Sequence, residues 1–236
     1  MKVCFITPSY PYMNCGVGDY TFELRKSLKA DDLEIQVITR KHKKIQQLYG
    51  ELPLREKANL FPIVDKWNFS SVPAIVEVIK NFAPDIIHIQ YHCGSSADGF
   101  ILKGIMAVFL PLIIKIFGVK ASIVITLHSR LDGPYLFFGA GFLRRLAILP
   151  LFLFSNAIIV TNKFDAREFS RWLPFLKDRV NYIAGGTGHY LAGDNLKEDA
   201  LKLRNQIKEN DKEIILSNFG FMVPHKGIEE LLEAMS

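Results

Sequence analysis

Residues 2–7 (KVCFIT) read as a short buried strand, residues 8–14 (PSYPYMN) as a turn-rich loop, and residues 15–19 (CGVGD) as a glycine-bearing entry into a helix that carries Phe22, Leu24 and Leu28. A strand that ends in such a loop aims the free N–H groups of the following helix at whatever sits above the sheet edge. The helix dipole makes that place attractive to anions. Gly16 and Gly18 lack a Cβ and so permit close approach of a ligand to the backbone. The first thirty residues therefore predict a phosphate-handling strand, loop and helix.

The glycine spacing alone is not decisive. Thr21 stands where a dinucleotide fingerprint has its third glycine, and no acidic residue follows the second strand to hold a ribose. The chain reads Thr39-Arg40-Lys41 there instead. A turn glycine without a ligand, and a nicotinamide-dependent reductase with a basic pocket for a ribose phosphate, both stay open on these residues alone.

Beyond this unit, strand and helix patterns alternate. Residues 33–39 alternate and close as a strand, residues 40–57 are polar and aperiodic, and residues 59–64 form a weak strand. Residues 72–82 are an amphipathic helix with Ser70 and Ser71 as expected caps. Residues 85–91 (DIIHIQY) and 121–127 (ASIVITL) are near-continuous apolar strands of the kind buried on both faces of a parallel sheet. Between them residues 97–117 read as one apolar helix containing Pro111. A helix around residues 142–154, a strand at 157–161, a helix at 165–173 and a strand at 180–183 continue the series. The predicted fold class is α/β, a doubly wound parallel sheet. Residues 185–195 form a glycine-rich loop, and residues 196–209 a charged helix. Residues 213–217 (EIILS) and a last helix look like the opening of a second, incomplete domain. The expected division is residues 1–195, a linking helix over 196–212, and 213–236.

The 236 residues include 49% hydrophobic and 22% charged side chains, which supports a large core and excludes global disorder. The net charge of +5 gathers at residues 40–44 (RKHKK) and at Arg144-Arg145. Beside apolar segments, such clusters suit an anionic membrane surface. No aromatic-interleaved basic stripe points to nucleic acid. Cys4, Cys15 and Cys93 have no metal-type spacing and predict a reduced, cytoplasmic compartment. The N-terminus lacks a signal-peptide layout. Residues 146–162 carry no charge but are broken by Pro150 and Ser155-Asn156, so no transmembrane helix is expected.

Taken together, Gly16-Val17-Gly18-Asp19-Tyr20, the strand at Asp85-Ile86-Ile87-His88, Thr126-Leu127-His128, the strand at 157–161, and Gly220 with Pro224-His225-Lys226-Gly227-Ile228 resemble the retaining, nucleotide-sugar-dependent glycosyltransferases of family 4, of the two-domain GT-B type. The resemblance implies an N-terminal, acceptor-side Rossmann-like domain and the start of a donor-binding one. It implies that Gly16, Gly18 and Lys226 face the donor phosphates and that His128 approaches the transferred sugar. The nucleotide sugar would be a substrate, no metal or other cofactor would be required, and the acceptor would be a glycan or a lipid-linked sugar. The chain departs from the family at Phe221, where many relatives carry arginine, and at residues 184–189 (AGGTGH). It also stops before the family's late glutamate pair.

His128 follows a strand at its carboxyl end, where it can donate to a sugar hydroxyl or stabilise developing charge. His88 and His92 are four apart, which on a strand is about 13 Å and too far for one metal ion. His92, just past the strand, is a candidate acceptor contact, as is Asp19 at the helix start; Asp19 would also simply complement the dipole. Two functions fit: a transferase moving a hexosyl-type sugar from a nucleoside diphosphate, or a module without chemistry that binds acceptor or membrane beside a separate donor-binding chain.

Overall fold

The computed structural model describes residues 1–11, 13, 15–28, 32–43, 59–92, 105–128, 146–186, 196–208, 215 and 227–235. Runs of β-branched and aliphatic residues form seven strands: β1 (Lys2–Ile6), β2 (Glu34–Arg40), β3 (Leu60–Val64), β4 (Ile86–Tyr91), β5 (Ser122–Leu127), β6 (Ala157–Val160) and β7 (Val180–Tyr182). All pair in parallel, in the order β3-β2-β1-β4-β5-β6-β7. The doubly wound α/β class expected from the alternation is what forms. Pro62 sits in β3, the edge strand, where its missing N–H costs no ladder bond on the open side.

Along β1 the side chains alternate between two cores. Val3 and Phe5 join Val37, Leu60 and Tyr10, with Phe22 and Leu24 of α1 (Gly16–Ser27) packed on them. Cys4 and Ile6 join a larger cluster with Ile75 and Ile79 of α2 (Val72–Phe82) and Met106, Leu110 and Ile114 of α3 (Ile105–Ile116). The same cluster takes Phe152 of α4 (Leu149–Leu153) and Phe169 of α5 (Lys163–Trp172), whose rings meet edge to face at 4.8 Å. Right-handed crossovers explain the split: the chain moves one way from β1 to β2 and the other way from β3 onward, so the later helices land on the opposite face.

Two helix starts differ from expectation for local reasons. Asn68 accepts a bond from Ser70 N (3.1 Å) and opens a 3₁₀ turn over Phe69–Ser71, while the Ser71 hydroxyl donates to the Lys66 carbonyl (2.7 Å) instead of capping α2. Helix α5 begins at Lys163, ahead of the expected 165, because the Asn162 side chain accepts from Asp165 N (2.7 Å) and so serves as its cap. Pro111 lies inside α3, as the sequence indicated.

The chain divides into two units, Met1–Gly188 and His189–Ser236. The second contains α6 (Leu196–Ile207), with a Glu198–Lys202 ion pair (3.0 Å), and α7 (Ile228–Glu233), which starts at Gly227 in the left-handed region (φ +64°). The expected strand at 213–217, apart from Ile215, lies outside the described residues, as do Lys226, Cys93, Arg144-Arg145 and most of the 40–57 connection. Among the described residues no helix is long and apolar enough to cross a membrane.

The entry to α1 is fixed by a backbone contact. A Cβ on Gly18 would lie 3.0 Å from Tyr10 N, Cα and C, whereas one on Gly16 would meet nothing within 4 Å. Around this contact the Thr7 hydroxyl donates to Ser9 O (2.7 Å), the Thr21 hydroxyl to Val17 O (2.6 Å), and Arg25 to the Tyr10 hydroxyl (3.1 Å). Gly18→Ala is therefore expected to cost about 1–3 kcal/mol through overpacking. Gly16→Ala should be neutral or stabilise by up to about 1 kcal/mol through helix propensity. Urea unfolding of the two variants checks this; equal stabilities would show that the loop at Tyr10 gives way freely.

Candidate functional site at the carboxyl edge of the sheet

Between β1 and β4 the strand order reverses: β1 leads outward to β2 and β4 leads outward to β5. The connections that leave the carboxyl ends of these two strands diverge, and the crevice between them is where open α/β sheets bind ligands. Five of the candidate residues come to this edge from three different segments. The first turn of α1 follows β1, His92 follows β4, and His128 follows β5.

The start of α1 has no side-chain cap. The carbonyl of Cys15, at the N-cap position, accepts from Gly18 N (2.9 Å) and Asp19 N (3.2 Å). Gly16 is exposed with open space around it, while Gly18 is buried under Tyr10. Gly18 thus sets how closely the helix lies on the loop, and Gly16 stands at its solvent side. Asp19 is exposed in the first turn. Tyr20 turns the other way: its ring meets the His128 ring edge to face, with centroids 4.7 Å apart and 73° between planes.

His128 is held from two further directions. Its main-chain N–H donates to the Tyr91 carbonyl (3.0 Å), which continues the β4–β5 ladder past the strand ends and brings His92 alongside. Its Nε2 lies 2.7 Å from Oε1 of Gln90. One pleat below, His88 Nε2 lies 2.7 Å from the Thr126 hydroxyl and its ring lies 5.0 Å from that of Phe5. Gln90 and Thr126 are buried, at 1% and 0% exposure. His88, Gln90, Thr126 and His128 form a polar file on the α1 side of the sheet, and it surfaces at the carboxyl edge.

Burial disfavours charge on every histidine of this file. His88 is pushed down to about 4 by desolvation and then by the neighbouring His128; His128 is pushed down to about 4 by desolvation and then by His92. His92 is lowered by desolvation, and the Tyr20 phenol is raised by the same cause. At neutral pH the imidazoles are uncharged, so His128 acts as a hydrogen-bonding group and carries no formal charge into the crevice. Among the described residues no group of three or more His, Cys, Asp or Glu is arranged to hold a metal ion. Lys226 is outside the described residues.

The sequence named His128, His92, Asp19 and the glycines but gave no role to Gln90, Thr126 or Tyr20. Part of the signal was present for Gln90: in IIHIQY it and His88 fall at alternate positions, which on a strand puts both on one face, though nothing in the pattern names their partners.

An open parallel sheet, doubly wound, with helices on both faces defines the class of Rossmann-like α/β folds. The family model described as Glycosyltransferase Family 4 matches residues 15–187, and the chain belongs to that family. Its fold is of the GT-B glycosyltransferase type. Of solved structures, HepE from Anabaena in complex with UDP-glucose superposes with a TM-score of 0.63 at 16% identity, covering 100% of this chain and 57% of that one. The catalytic domain of starch synthase IV from Arabidopsis thaliana, bound to ADP and acarbose, gives 0.56 at 13%, covering 100% and 65%. A glycosyltransferase from Rickettsia africae gives 0.52 at 12%, covering 88% and 50%. At these identities the likeness is one of fold, and this chain spans about half to two thirds of their lengths. No curated protein matches the sequence.

The lowered histidines couple stability to pH. The unfolded chain protonates them near the ordinary value of 6.5, the folded chain only near 4 for His88 and His128, so stability is full above about 6.5 and falls as pH drops toward 4. A tenfold change in proton affinity is about 1.4 kcal/mol, so the loss between pH 7 and 5 should reach at most about 2 kcal/mol per histidine. His88→Asn keeps a hydrogen-bonding group beside Thr126 without titrating and should show a smaller loss in urea unfolding at the two pH values. Equal losses in parent and variant would show that His88 titrates as an ordinary exposed imidazole.

Proposed function

We propose that this chain is part of a glycosyltransferase that moves a hexosyl-type sugar from a nucleoside diphosphate to a glycan or lipid-linked acceptor. The observation that carries this reading is the meeting of an uncapped helix start with His128 and His92 at the switch point of a family 4 fold. The N–H groups of the first turn, those of Gly16 and Val17, would hold donor phosphate, with Gly18 setting the position of the helix; Lys226, expected to pair with the same phosphates, lies outside the described residues. Asp19 and His92 would contact the acceptor. His128 would hydrogen-bond the transferred sugar, and the oxocarbenium-like state would be reached by positioning and fixed dipoles. Nothing in this scheme uses a metal ion or other cofactor.

In a transfer-active preparation, His128→Ala is expected to lower turnover by about 10²-fold or more with little change in nucleotide affinity. Release of nucleoside diphosphate from a panel of nucleotide sugars, with glycan and lipid-linked acceptors, measures this. Near-normal turnover would assign His128 a structural role, and acceptor binding without turnover in any preparation would favour the non-catalytic module.

A cytoplasmic protein resting on the inner membrane face is the accompanying proposal. It is supported by Ile116 (70% exposed) and Phe117 (45% exposed) at the end of α3, with Lys115 and Lys120 nearby and Leu153 of α4 also exposed. Co-sedimentation with anionic vesicles at low salt should drop several-fold in an Ile116→Ser, Phe117→Ser double variant; unchanged binding would place the contact elsewhere or nowhere.

A further inference from the structure

We infer that Gln90 is a positioning residue: by accepting a hydrogen bond from His128 it locks that imidazole in its Nε2–H tautomer, leaving the Nδ1 lone pair to accept a bond from a sugar hydroxyl. The lock stands on geometry; its use in transfer rests on the reading of His128 given above.

A buried glutamine near the carboxyl end of the central strand is an expensive choice. Gln90 sits in β4, paired with Thr126 of β5, and its side chain is 1% exposed. Its Oε1 lies 2.7 Å from His128 Nε2, but its amide Nε2 finds no partner among the described residues. A buried amide with one end unmatched costs free energy that an aliphatic residue, such as the isoleucines at three of this strand's six positions, would avoid. What the amide does accomplish is specific. A carbonyl oxygen only accepts, so the ring nitrogen facing it must carry the proton. The ring is also fixed from its side by Tyr20 and through its own backbone by the Tyr91 carbonyl. Backbone, ring edge and Nε2 are thus all constrained, and among the described residues Nδ1 has no partner. Burial keeps the ring uncharged, so Nδ1 is a lone pair and not a second donor.

The consequence concerns the substrate. A histidine locked this way selects a sugar position that can donate, a free hydroxyl, and discriminates against an ether or a fluorine there. The opposite amide orientation, with Gln90 Nε2 donating to the ring, would leave Nδ1–H and make His128 a donor toward substrate. The two arrangements are distinguishable without any transfer reaction.

The test is a long-range ¹H–¹⁵N correlation of the imidazoles in the whole 236-residue chain at pH 7, with His128 assigned through His128→Gln. The parent should show the nitrogen pattern of the Nε2–H form at His128. Gln90→Leu should move that pattern toward a mixture of tautomers. Gln90→Glu should keep the Nε2–H form and raise the pH at which His128 protonates, because a carboxylate replaces the amide; the other titratable groups beside it are His88, His92 and the Tyr20 phenol, and the two histidines should still titrate low. An Nδ1–H pattern in the parent, or a pattern that Gln90→Leu does not alter, overturns the lock. If the leucine variant does not fold, an unmoved His128 midpoint in Gln90→Glu overturns it equally. In a transfer-active preparation Gln90→Leu should lower kcat about tenfold or more, with the KM for nucleotide sugar little changed and recovery in Gln90→Glu. The expected nitrogen pattern together with normal turnover in His128→Ala would uphold the lock and refute the transfer role.

Discussion

Strand β1 is hydrogen-bonded on both edges, to β2 from Lys2↔Glu34 to Ile6↔Ile38 and to β4 from Val3↔Ile86 to Ile6↔Ile89. That double pairing is the constraint on which the rest depends. Because each parallel pair needs a crossover and each crossover is right-handed, placing β2 and β4 on opposite sides of β1 forces α1 onto one face and the later helices onto the other. The loops leaving β1 and β4 must then part. The crevice is therefore a by-product of strand order, and the side chains at its floor are whatever the sequence places at the last residues of β1, β4 and β5.

The floor is built from groups that are costly to bury and are made tolerable in pairs. Thr7 and Thr21 approach within 3.3 Å beneath α1, His88 meets Thr126, and His128 meets Gln90. The last two join neighbouring strands β4 and β5 at fixed register, so their geometry is inherited from the ladder and not from a flexible loop. Among the described residues the amide end of Gln90 finds no partner, and neither do the hydroxyls of Ser9 and Thr39 elsewhere in the same unit. Where a structure keeps a buried unsatisfied group in its most regular region, the group is better explained by its partner than by packing.

The strands were legible because each is a short run of β-branched and aliphatic residues bounded by glycine, proline or polar turns. His128 was legible because it directly follows such a run. Gln90 was not, since its partner lies 38 residues away and the two meet only when β4 and β5 pair in one particular register, which sequence periodicity leaves undetermined. The packing role of Gly18 was not legible for a similar reason. Its role depends on Tyr10 folding back across the helix start, a loop conformation that no spacing rule encodes. Helix α5 started early because a single asparagine, Asn162, outweighed the apolar period that follows it.

A neutral histidine changes how the proposed transfer would gain rate. An imidazolium would oppose the positive charge that grows on the sugar ring as the donor bond breaks, whereas an uncharged Nδ1 lone pair accepts from a hydroxyl of that same ring. As the ring becomes electron-poor its hydroxyl grows more acidic, and the bond to Nδ1 strengthens. Such an interaction is tighter in the transition state than in the ground state, which is the condition for raising turnover and not merely affinity. The partial burial that lowers the basicity of His128 serves this, because it limits the water that competes for the same hydroxyl and holds the ring uncharged across the neutral range. On this account the stability lost on acidification and the proposed capacity for transfer have one physical source, a partly buried histidine at the edge of a parallel sheet.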